Sequence, residues 1–291
     1  MQCRRSESGL DDGGERALIV TMPKRPGLAF ASGARGDSKR ARVIVSWNEF
    51  QRTCQKAFRG LEVPAGADEE SSFAVLWLQV RGLDALTPLE AALCALDHSP
   101  PQPLGVVGGA DGSHVLHAGG QPSVSVASDA IDFAMAHAVE TAARADVLLT
   151  GVESAIFVAG TLAQRPGCGR CSRVEWRDGR VRRRLDMAPD GESRLSTAPP
   201  DDSRLGGGLG QKTVRITIGG PGGRRWLRHD RSWRTDADEA ELERRAMHSV
   251  THGIDVPGAL WTRLLAFAKS TLVPATRASR ERGAGGGKYD D

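Results

Sequence analysis

The stretch Ser46-Trp47-Asn48-Glu49-Phe50-Gln51-Arg52-Thr53-Cys54-Gln55-Lys56-Ala57-Phe58-Arg59-Gly60-Leu61 decides how the chain begins to fold. Ser46 and Glu49 form a Ser-x-x-Glu capping box, in which the serine hydroxyl takes an orphan amide at the helix start. Trp47, Phe50, Cys54, Ala57, Phe58 and Leu61 then recur at helical spacing, which predicts an amphipathic helix. Capping accounts for Ser46 and Glu49 but not for Asn48, which becomes a candidate ligand-binding residue.

Working outward, Asp68, Glu69 and Glu70 place negative charge where the macrodipole of a second helix favours it, with Phe73, Leu76, Trp77 and Val80 as its apolar face. Thr87-Pro88-Leu89-Glu90 combines an N-cap threonine, a proline at the first helical position and an acid three residues after the cap, opening a third helix. Three helices are thus expected before any strand. Residues 104–107, 113–117 and 123–127 read as short strands, and Ser128 as the cap of a helix over 129–143. A strand at 147–149 and a short helix at 154–164 follow. Residues 172–176 and 180–185 flank Arg177-Asp178-Gly179, a hairpin signal.

The Pro, Gly, Ser and Asp content of 188–211 predicts a long surface loop, and 213–218 an alternating strand. Helices at 239–250 and 257–272 close the chain, the last with Leu260, Trp261, Leu264, Leu265, Ala268 and Leu272 on one face. The expected class is α+β, a mixed β-sheet packed against N- and C-terminal helices. Residues 1–42 lack apolar periodicity and are expected to be a disordered extension of a single domain over 43–291.

The 291 residues are 40% hydrophobic and 26% charged, the balance of a soluble globular protein. A net charge of +3, from 39 basic and 36 acidic residues, is too small to neutralise a run of phosphates. A nucleic-acid partner is therefore not expected. Arg180-Val181-Arg182-Arg183-Arg184 and the arginine- and tryptophan-rich run at 224–234 read instead as solvated faces. No stretch approaches the roughly 20 apolar residues of a membrane-spanning helix, and acidic Asp11, Asp12 and Glu15 occupy the place of a signal peptide's apolar core. A cytoplasmic location with no membrane contact is the expectation.

The odd count of five cysteines fits a reducing compartment. Cys168-Gly169-Arg170-Cys171 has the spacing of a metal or redox pair, but a structural zinc needs four ligands, and only His248 and His252 share a second ligand spacing. No metal is expected. None of the glycine clusters combines a preceding strand with a following helix, so none reads as a phosphate-cradling loop, and the sequence leaves any cofactor unknown.

Three places carry a family resemblance: Ser46-x-Asn48-Glu49 with Ala57-x-Arg59-Gly60, the apolar segment 147–163, and Pro274-Ala275-Thr276-x-x-Ser279-Arg280 followed by Gly283-Ala284-Gly285-x-Gly287-x-x-Asp290. Over about residues 43–291 they resemble the bacterial family catalogued as domain of unknown function 3726, which has no assigned activity. Two functional readings follow. In the first, a small-molecule enzyme or binder takes an anionic metabolite, with Arg280 pairing its carboxylate or phosphate, Ser279 orienting it and Asp290 closing over it on a glycine hinge. In the second, an interaction or assembly protein docks its C-terminal segment on a partner subunit, as in a homo-oligomer. The opening is also similar to the first helices of the malate and lactate dehydrogenases that lack a Rossmann fold. Those enzymes follow Arg-Gly-x-Asp with Ser-His-Gly, whereas here Arg81-Gly82-Leu83-Asp84 is followed by Ala85-Leu86-Thr87. No dehydrogenase residue is carried over.

Overall fold

The computed structural model describes residues 41–108, 114–165, 169–198, 209–219 and 232–271. The capping box opens α1 (Trp47–Gly60), the Glu49 amide donating to Ser46 Oγ at 3.3 Å. α2 (Ala67–Val80) and α3 (Leu86–His98) follow. A strand nevertheless precedes them: β1 (Arg42–Val45) pairs antiparallel with β10 (Ile254–Pro257) near the other end of the chain. Four residues with a single buried position give too short an alternation to be read locally.

α3 starts one residue before Thr87, with Ala85 at the N-cap position in place of the threonine, and Asp84 Oδ1 accepts the Thr87 amide at 3.2 Å. The expected strand at 123–127 is instead a 3-10 turn, Ser123–Ser125, running into α4 (Ala127–Glu140). Its buried serines bond to carbonyls, Ser125 Oγ to Pro122 O at 2.9 Å and Ser123 Oγ to Ser154 O, and this favours the turn over a ladder. Ser128 is not a cap either, since its hydroxyl donates to the Glu70 carboxylate.

The main sheet is mixed, as expected. Its order is β2 (Gly105–Gly108), β3 (His114–His117), β4 (Ala145–Thr150), β8 (Thr213–Ile218), β5 (Ser172–Asp178), β6 (Val181–Met187), β7 (Ser193–Ala198) and β9 (Arg234–Ala237). β3 and β4 are parallel, joined through α4, and the other neighbours are antiparallel. β7 corrects the predicted loop at 188–211: its Leu195 faces Leu185 in the core, and the Ser193 amide is held by Glu239 at 2.7 Å.

α4 and α5 (Ile156–Leu162) lie on the sheet, α2 lies on α5, α1 on α2, and α7 (Gly258–Lys269) on α1. Two glycines permit the closest approaches. A Cβ on Gly60 would stand 2.2 Å from Phe267 O of α7, and one on Gly160 would stand 2.6 Å from Ala74 O of α2. In α7 the buried positions are Leu260, Trp261, Leu264, Phe267 and Ala268, whereas Leu265, expected inside, is exposed.

The opposite face of the sheet carries an ion-paired lattice. Arg173 and Arg184 meet the two oxygens of Asp186 at 2.6 and 2.9 Å, and the Trp233 ring lies 4.5 Å from the Arg184 guanidinium. Arg184 and Asp186 are buried, so this part of the arginine run is a compensated layer and not the solvated face expected. Among the described residues no helix is long and apolar enough to cross a membrane.

Candidate functional site

A cleft of about 800 Å³ opens where the turn between α2 and α3, the start of α5, the β5–β6 hairpin and strand β9 converge. That volume falls in the range of small-molecule sites. Local sequence builds each wall. Gly82, at φ +75°, turns the chain out of α2, while the hairpin closes through Gly179 at φ +58° and Arg180, so Asp178 ends the strand and the two-residue loop starts one position later than the Asp-Gly signal suggests. Ser154, two residues before α5 begins, holds the left-handed conformation at φ +54° without being glycine, and its hydroxyl donates to Pro88 O at 3.2 Å. Such a backbone costs on the order of 1 kcal/mol, and it ties two cleft walls together.

The described lining includes four arginines, Arg177, Arg183, Arg234 and Arg245, and three aspartates, Asp84, Asp178 and Asp236. Arg183 is held by Asp178 at 3.0 Å and Arg234 by Asp236 at 3.0 Å. Arg245 is held by Glu241 at 2.7 Å. Hydrogen bonds from Arg244 and then Arg245 keep the Glu241 carboxyl below its ordinary value, so the Arg245 charge is already answered.

Arg177 differs. Its Nε is closed off from solvent and meets no acceptor, and no carboxylate among the described residues pairs with its guanidinium. Trp176, the preceding residue of β5, also lines the cleft and is buried, its Nε1 without a hydrogen-bond partner among the described residues. An arginine with no ion pair among the described residues suits a planar anion, because its fork matches a carboxylate in two parallel hydrogen bonds.

Of the residues singled out in the sequence, Asn48 lies elsewhere, on a second cavity between α1 and α2. Ser279, Arg280 and Asp290 lie outside the described residues, as does Cys168. Cys171 is buried. His248 and His252 stack ring on ring at 4.1 Å on exposed turns of α6 (Glu239–His252). Among the described residues no group of three or more His, Cys, Asp or Glu is arranged to hold a metal. Arg177 was missed in the sequence. The only local signal was its place beside a hairpin turn.

Residues 45–123 match the family profile described as protein of unknown function (DUF3726). The matched segment supplies the α2–α3 wall of the cleft and most of the Asn48 cavity, and it ends before α4. No curated protein matches the sequence. Among solved structures, a dehydrogenase from Sinorhizobium meliloti is 12% identical, with a TM-score of 0.57 over 78% of this chain and 100% of that one. Malate dehydrogenase from Pyrococcus horikoshii OT3 is 9% identical, with a TM-score of 0.57 over 83% and 98%. Sulfolactate dehydrogenase from Methanocaldococcus jannaschii is 9% identical, with a TM-score of 0.54 over 78% and 97%. At these identities the likeness establishes the architecture alone. The segment after Arg81-Gly82-Leu83-Asp84 keeps the departure noted in the sequence, and Ala85 and Leu86 are buried core residues.

Proposed function

We propose that the protein binds a small carboxylate-bearing metabolite in the arginine-lined cleft, with Arg177 as the anchoring cation. The observation that carries this is the set of four arginines lining the cleft, three of them each paired with an acid and Arg177 with no ion pair among the described residues. A buried or half-buried donor left without an acceptor costs about 1–3 kcal/mol, which an arriving carboxylate offsets. The fold supports the ligand class, since two of its neighbours are named for malate and sulfolactate, both small anions. Among the described lining residues there is no histidine to shuttle a proton, so the reading commits to binding and names no reaction.

The test is thermal unfolding with L-malate, succinate and orthophosphate. Saturating ligand at about 100 times its Kd adds about 2.7 kcal/mol, a rise in Tm on the order of 5–10 °C for a domain of this size. Arg177→Met should abolish the rise while leaving the unliganded Tm nearly unchanged. A full response in that variant, or no response of the unmodified protein to any of the three, would overturn the reading. Arg280→Ala in parallel measures what the C-terminal segment contributes. Loss of the response there and not in Arg177→Met would move the anchor to Arg280.

A further inference from the structure

The second cavity, about 440 Å³, lies between the N-terminal half of α1 and the outward side of α2, away from the arginine cleft. Helical periodicity assigns Phe73 and Trp77 to the core. Instead the residues that α2 buries include Ala74, Val75, Leu76, Leu78 and Val80, while Phe73 is 41% exposed and Trp77 half-buried. With Trp47 they give one cavity three aromatic walls, in a chain whose aromatic content is only 5%. The walls are fixed in place. The Arg81 guanidinium stacks 4.6 Å from the centre of the Trp77 ring and is held by Glu243 at 2.6 Å. Gln51 is tied to Ser72 at 2.9 Å, and Gln164 to Gly160 O at 3.0 Å.

Along the α1 side run Asn48, Arg52 and Gln55, at helical spacings of four and three, so all three stand on one edge of the cavity. No hydrogen bond or ion pair engages any of these heads among the described residues, in contrast to the committed Gln51, Gln164 and Arg81. Glu69 also lines the cavity and forms no ion pair with Arg52. Aromatic walls beside an amide, a guanidinium and a second amide complement a flat ring with a carboxylate on its rim. We infer that this cavity is a binding site for an aromatic carboxylate, the ring lying against Trp47, Phe73 and Trp77 and the carboxylate on Arg52, with the Asn48 and Gln55 amides donating to its oxygens. It gives Asn48 the role that capping leaves open. It does not depend on the arginine cleft, which selects small anions without requiring a ring.

The test is calorimetric titration with three probes: 2-naphthoate, its uncharged isostere 2-naphthamide, and cyclohexanecarboxylate, which keeps the charge without the flat ring. The unmodified protein should bind naphthoate about tenfold more tightly than either of the others, because a charge-assisted bidentate bond and an aromatic stack each contribute on the order of 1–2 kcal/mol. Arg52→Gln, at an exposed position, should erase the preference for naphthoate over naphthamide while leaving naphthamide binding in place. Glu69→Gln should strengthen naphthoate binding a few-fold by removing a like charge. Arg177→Met should change none of these, which separates this site from the cleft. Absence of naphthoate binding, equal affinity for naphthoate and naphthamide, or unchanged discrimination in Arg52→Gln would each overturn the assignment.

Discussion

Arg59 and Asp68 form a two-pronged pair on a single oxygen: Arg59 Nε and Nη2 reach Asp68 Oδ2 at 2.9 and 2.8 Å, while Asp68 Oδ1 accepts the Gly66 amide at 2.9 Å. Asp68 is fully buried, so its charge depends on these contacts and not on water. Its role is to fasten the start of α2 to the end of α1, a stronger duty than the macrodipole complement expected at that position. Removing one partner of a buried pair costs about 3–5 kcal/mol, because the other charge is left in low dielectric. With the Arg59 side chain 56% exposed, Arg59→Met should lower unfolding stability by less than that, roughly 1–3 kcal/mol. Urea titration checks it, and a loss under about 1 kcal/mol would mean that water replaces Arg59 at no cost.

The motif Ala57-x-Arg59-Gly60 is thereby accounted for in structural terms, and Gly60 supplies a second test. A methyl group added there would meet Phe267 O at only 2.2 Å and Ser270 Oγ at 2.5 Å, so the backbone of α7 would have to move. Gly60→Ala should destabilise by at least about 1–3 kcal/mol, the usual cost of overpacking, despite the higher helix propensity of alanine. Gly160→Ala should behave alike, since Ala74 O and Leu78 stand at 2.6 and 3.0 Å. Thermal melts of the two variants decide the matter. A rise in Tm for either would show that the helix pair relaxes freely.

Burial pushes the Cys54 thiol well above its ordinary value. The folded protein therefore holds this proton at pH values where the unfolded chain, with a thiol pKa of about 8.5, has released it. The associated stability is fully present below about pH 8.5 and declines above it, by about 1.4 kcal/mol per pH unit. Measured from pH 8.5 to 10.5, the fall in unfolding free energy should be steeper by that amount in the unmodified protein than in Cys54→Ala. Identical slopes would show that the thiol ionises equally well in both states. Native-state alkylation should likewise spare Cys54 until the chain unfolds.

Much of the helical framework was legible in the sequence, because a helix satisfies its own backbone and writes its buried face into neighbouring residues at a period near 3.6. α1 was readable down to its cap, and the hairpin of β5 and β6 down to its glycine. The mixed α+β class followed from these local signals. What only the tertiary structure decided was wherever a residue answers to a distant partner. β1, β7, β9 and β10 are short strands whose hydrogen-bonding neighbours lie far along the chain or carry no clear alternation. The apolar residues Phe73 and Trp77 fit a core-facing stripe equally well, and only the packing of α5 and the 3-10 turn against α2 left them to face a cavity shared with α1. Asn48 could be marked from the sequence because capping left it without a task. Arg177 could not, since among many arginines nothing local marks one that forms no ion pair among the described residues. Periodicity is a property of neighbouring residues, whereas compensation of a charge is a property of the whole fold.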